Sequence, residues 1–185
     1  MYKQVLLDLD GPLVNFIDGV RQLHPQFTTP YRDIRWGFDE EVFPGDRERF
    51  WGPMGFDFWA DLPKTKFCDP IVDKAVELVG LENVAICTSP TQTRGSIEGK
   101  IEWAKRNLPH LMKNRQFVVT PRKQFAAGSN RILVDDRDEN IDDFKYAGGH
   151  GILFPAPWNK NRYYSEDDCT ALNYTLLELT NWVLG

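Results

Sequence analysis

The 185-residue sequence predicts an α/β fold: a parallel sheet of about five strands, interrupted after the first strand by a small insertion of different character. Three observations predict it. Short continuous apolar runs alternate with helix-patterned segments, which is how strands buried on both faces of a parallel sheet read. Polar residues follow these runs directly, where open α/β sheets bind ligands. The stretch from Phe27 to Phe67 breaks the alternation, being rich in Pro, Gly and aromatic residues with weak helical periodicity.

Gln4 to Asp8 reads as a buried strand and Leu13 to Leu23 as a helix. After the aromatic stretch, DPIVDKAVELVG carries helix punctuation: Asp69 suits the N-cap, Pro70 the first turn and Gly80 the stop. Asn83 to Cys87 is a second strand, followed by a helix from Ile97 to Leu108. Strands are expected again at Gln116 to Val119, Arg131 to Val134 and Gly151 to Phe154, with helices at Ile141 to Tyr146 and Thr170 to Val183. The reading is a Rossmann-like core from 1–15 and 68–185, with 16–67 as an aromatic-rich insertion.

Bulk composition narrows the function classes. A net charge of −5 gives no basic footprint, so duplex nucleic acid is not an expected partner. The three cysteines, Cys68, Cys87 and Cys169, form no CxxC pair and read as reduced thiols of a cytoplasmic protein. The apolar run in MYKQVLLDLDG is too short for a signal peptide, and no stretch is long enough to span a membrane. A homodimer is compatible with the sequence.

Four clusters carry potential chemistry. DLDG puts Asp8 and Asp10 straight after Val5-Leu6-Leu7. A calcium loop would need Gly at its sixth position and Glu at its twelfth, and this stretch has neither. ILVDDRDEN ends another apolar run with Asp135 and Asp136. A helix N-terminus accounts for Asp138 and Glu139 through the macrodipole, but not for the preceding pair. ICTSP offers the hydroxyl of Thr88 and backbone N–H groups near Ser89, suited either to a turn or to phosphate oxygens. TPRKQ offers Lys123, which alone would be read as solvated.

Taken in order — acid pair, hydroxyl, lysine, acid pair — the set resembles the haloacid dehalogenase-like superfamily of phosphatases, over about Lys3 to Phe154. Asp8, Asp10 and Gly11 match its first motif, Thr88 its second, Lys123 its third, and Asp135 with Asp136 its fourth. The resemblance implies that Asp8 is the nucleophile and Asp10 the general acid and base. It implies Mg²⁺ on Asp8, the Asp10 backbone carbonyl and Asp136, with Asp135 behind them. Thr88, Ser89 and Lys123 would hold the phosphoryl oxygens. Asp10 favours phosphoryl transfer over carbon–halide hydrolysis, which needs no such acid.

The stretches DLDGPLVNF, FDFWADLP and ICTSPTQT resemble the 5'(3')-deoxyribonucleotidase family. That resemblance implies a small, mainly helical cap over residues 16–67 and a deoxynucleoside monophosphate substrate, and it places Phe16 against the base. Trp36, Phe58 and Trp59 are further candidates for the base pocket, since rings stack on nucleobases. Pro12 and Asn15 depart from the family pattern, which often has an aliphatic residue and Asp there. Other readings stay open: a phosphatase for another small ester or a nucleic acid 3'-phosphate end, or a nucleotide-binding protein without turnover.

Overall fold

The computed structural model describes residues 2–165 and 167–185. Five strands form one all-parallel sheet: β1 (Gln4–Leu7), β2 (Val84–Thr88), β3 (Phe117–Val119), β4 (Arg131–Asp135) and β5 (His150–Leu153). Their spatial order is β3-β2-β1-β4-β5. The chain lays β2 and β3 on one side of β1, then crosses back to lay β4 and β5 on the other. The order therefore reverses between β1 and β4, and a crevice opens beyond their carboxyl ends. Asp8 extends β1 there, its N–H donating to the Val134 carbonyl at 2.8 Å.

Helices α1 (Phe16–Leu23), α2 (Phe38–Val42), α3 (Arg47–Trp51) and α4 (Phe56–Ala60) lie between β1 and the 12-residue α5 (Cys68–Val79). The chain continues through α6 (Ser96–Asn107), α7 (Pro109–Lys113), α8 (Asp138–Tyr146) and α9 (Asp168–Leu184). Three of the helices in the aromatic stretch have only five residues each, too short to be stable without packing. Their stability comes from burial: Phe50, Met54 and Trp59 join Val5, Leu7, Ile86 and Val134 of the sheet in one apolar cluster. The stretch also returns to its own start. The Thr65 N–H donates to the Leu13 carbonyl at 2.9 Å, and the Asn15 N–H to the Pro63 carbonyl at 2.9 Å.

Some boundaries differ from expectation for identifiable reasons. The first helix starts at Phe16 rather than Leu13, because Val14 makes bridges to Asp10 and Lys64 that keep the chain in a turn. Asn15 caps it, its Oδ1 accepting from the Asp18 N–H at 3.1 Å. Asp69 is not a cap: α5 begins at Cys68 and the Asp69 carboxylate pairs with Lys64 instead. Gly80 does end α5, at φ +84°. All three cysteines are unpaired. Among the described residues, no helix is long and apolar enough to cross a membrane.

Candidate active site

The carboxyl end of β1 turns sharply at Gly11, whose φ is +97°. A Cβ there would stand 2.3 Å from Asp136 Oδ2, so only glycine lets the two acidic loops approach. Asp8, Asp135 and Asp136 thereby come together, offering carboxylate oxygens within 4.8 Å of one another. All three are buried.

Their partners differ. Asp135 is engaged on both oxygens, by Lys123 Nζ at 2.5 Å, the Arg137 N–H at 2.9 Å and Asn140 Nδ2 at 2.9 and 3.1 Å. Asp8 Oδ1 accepts from the Leu9 N–H at 2.8 Å and pairs with Lys123 Nζ at 2.6 Å. The Asp136 carboxylate accepts no hydrogen bond from any described residue. Its loop is fixed from behind by Asn159 Nδ2, which donates to the Asp136 and Phe154 carbonyls at 2.8 Å each.

The electrostatics follow from this crowding. Burial pushes the Asp8 carboxyl up to about 7 against the pull of Lys123, and Asp135 and Asp10 push it the same way. Asp136 is raised well above the usual carboxylate range by burial, then by Asp135 and Asp8. Burial works against the Lys123 ammonium, but Asp8 and Asp135 outweigh it and hold the lysine charged. The cluster is short of positive charge. Its oxygen-only donors, with Asp136 unpartnered and an Asp10 carbonyl that accepts no hydrogen bond from a described residue, fit a hard divalent cation.

Asp10 stands across from this cluster. Its Oδ2 accepts from Lys100 Nζ at 2.5 Å, while its Oδ1 is buried without a partner. Lys100 was not singled out in the sequence, yet it is 1% exposed and also donates to Thr88 Oγ1 at 3.2 Å and to the Ser89 carbonyl at 2.8 Å. Because the Thr88 hydroxyl accepts from Lys100, its own proton is left to donate elsewhere. The Ser89 hydroxyl donates to the Thr120 carbonyl at 3.2 Å.

One cavity of about 940 Å³ joins these groups to the aromatic stretch. Asp8, Asp10, Ser89, Lys100, Lys123 and Asp136 line one part, and Phe16, Trp36, Trp51 and Trp59 another. Thr88 and Asp135 lie behind the lining. Phe16 stacks beside both Trp51 and Trp59, with centroids 5.9 and 5.4 Å away. Trp36 is more than half exposed and lies under the Arg137 guanidinium, 4.1 Å from its ring centre. Phe58 is outside the lining, packed edge-on against Phe16 and Trp59. Trp51 and the buried Asp39, whose Oδ2 accepts from the Trp51 indole N–H at 3.1 Å, also line the cavity and were not singled out.

The family model described as 5' nucleotidase, deoxy (pyrimidine), cytosolic type C protein matches residues 3–171. Among solved structures, a haloacid dehalogenase-like family hydrolase from Streptococcus pneumoniae superposes with a TM-score of 0.51 at 12% identity, over 98% of each chain. A HAD family hydrolase from Deinococcus radiodurans R1, solved with phosphate and sodium, gives a TM-score of 0.45 at 18% identity, over 94% of this chain and 88% of the other. No curated protein is a significant match.

Proposed function

The chain belongs to the 5' nucleotidase, deoxy (pyrimidine), cytosolic type C family of phosphoric monoester hydrolases, and from that premise we propose that it is a Mg²⁺-dependent hydrolase of deoxynucleoside monophosphates. The observation that carries this reading is the single cavity with two chemistries. Charged groups suited to a phosphoryl group share it with rings suited to a base. Its volume of about 940 Å³ lies within the span of small-ligand sites, about 300–1,000 Å³. Residues 16–67 act as the cap that supplies the base wall.

Phosphate monoesters are among the slowest esters to hydrolyse in water, so the site must supply a nucleophile, a proton and charge neutralisation. Asp8 attacks phosphorus. The new Asp8–phosphorus bond forms as the ester P–O bond breaks, and the leaving oxygen takes the electron pair and a proton from Asp10. Water then attacks the phospho-aspartate, giving its proton to Asp10. The P–O bond to Asp8 breaks, restoring the carboxylate and releasing phosphate. Lys123, Thr88 and the Ser89 N–H hold the phosphoryl oxygens as charge builds. Mg²⁺, held by Asp8, Asp136 and the Asp10 carbonyl, would offset the charge of the acids and the phosphoryl group.

The test is phosphate release from deoxy- and ribonucleoside monophosphates and sugar phosphates, in Mg²⁺ and in EDTA. Metal-dependent release favouring deoxynucleotides is expected. Preference for sugar phosphates would overturn the assignment of the aromatic wall to a base.

A further inference from the structure

Two buried lysines serve this site, and they divide the acids between them. Lys123 holds Asp8 and Asp135. Lys100 holds Asp10 and nothing else that is acidic. An ammonium that is 1% exposed is costly to bury, and its three acceptors satisfy its donors: Asp10 Oδ2 at 2.5 Å, the Ser89 carbonyl at 2.8 Å and Thr88 Oγ1 at 3.2 Å. Its fourth contact is the Trp59 ring, 4.4 Å from the ammonium to the ring centre. Lys100 thus touches the acid after β1, the hydroxyl ending β2 and a ring of the cavity wall.

We propose that Lys100 is the positioning residue of the leaving-group step. It holds the Asp10 carboxylate through Oδ2 and registers it against Thr88 and Trp59, so that the carboxyl group keeps one direction as it exchanges a proton with the ester oxygen. The Asp10 side chain is 27% exposed and its Oδ1 has no other partner, so Lys100 is the one side chain among the described residues that sets its direction. This rests on the phosphoryl-transfer roles assigned above to Asp8 and Asp10.

The test separates esters by their need for a proton. A nucleoside or sugar leaving group needs one from Asp10; p-nitrophenolate leaves as a stable anion. The value of kcat/KM reports the first half-reaction alone, which removes Asp10's later work on water. Lys100→Met should lower kcat/KM by about 10²-fold on a deoxynucleoside monophosphate and by less than about 3-fold on p-nitrophenyl phosphate. Combined with Asp10→Asn, it should cost nothing further. Equal losses on both esters in a variant with unchanged Tm would overturn the proposal, as would losses that add to those of Asp10→Asn. If Lys100→Met does not fold, Lys100→Gln, which keeps a donor on the side chain, is read by the same ratio and the same cycle. If the enzyme prefers a sugar phosphate, the substrate reading fails, while the ratio against p-nitrophenyl phosphate still decides the role of Lys100.

Discussion

The two ends of the cavity are built in opposite ways. At the proposed phosphate end, side chains project from strand ends and are held by hydrogen bonds: Asp8 by Leu9 and Lys123, Asp135 by Lys123, Arg137 and Asn140, Asp10 by Lys100. At the proposed base end, rings from short helices are held mainly by packing on one another. Phe16 touches Phe38, Trp51, Phe58 and Trp59, each within about 6.3 Å between centroids. Hydrogen bonds fix direction, as in-line chemistry requires. Ring packing fixes a surface and tolerates variation in what lies against it. The phosphate end should therefore govern kcat, and the base end KM.

The sharpest way to break this contrast is Asp8→Asn, which removes the nucleophile at nearly constant volume. It should lower kcat by about 10³-fold or more on every ester while the fold persists. Normal turnover, measured by phosphate release with a circular dichroism melt alongside, would sink the mechanism. Phe16→Ala should raise KM for nucleotides by about tenfold, the loss of one stacking contact, and spare p-nitrophenyl phosphate. Equal losses on both would make Phe16 part of the packing rather than of recognition.

The smallest effect concerns stability. The folded pKa of Asp136 lies above its unfolded value of 3.8, so its favourable share of stability is full below that pH and is lost as pH rises through the folded value. Asp8 acts in the same sense between 3.8 and about 7. Without metal, Asp136→Asn should raise Tm at pH 8 by roughly 2–4 °C, the equivalent of about 1 kcal/mol. The gain should vanish near pH 4. A variant less stable than wild type in EDTA at pH 8 would show that Asp136 is not the strained member of the cluster.

The phosphate end was legible because each acid pair follows an apolar run, Val5-Leu6-Leu7 or Ile132-Leu133-Val134, and such a run ends where the strand does. Asp8, Asp135 and Asp136 needed no knowledge of the insertion. Lys100 was missed because lysine on a helix is usually solvated. Its signal was present in SIEGKIEWAKRN: the buried residues Ser96, Gly99, Lys100, Trp103 and Ala104 follow the i, i+3, i+4, i+7, i+8 pattern, and Lys100 stands on that stripe. The base end was less legible. Five-residue helices carry too few turns to show a period, so sequence offered Phe58 and passed over Trp51, although the structure lines the cavity with Trp51 and not Phe58.

Gly99 has a consequence for exchanging parts between relatives. A Cβ at this position would stand 2.5 Å from the Phe56 carbonyl oxygen and 2.7 Å from Trp59 Cβ, so α4 lies against the bare backbone of α6. The proposed base wall is thus seated on the helix that carries Lys100. A graft of residues 16–67 into a homologous scaffold would have to bring, or find, a glycine at the matching point of the recipient helix. Without it the transplanted wall would dock too high, and altered selectivity would arrive together with a misplaced proton donor.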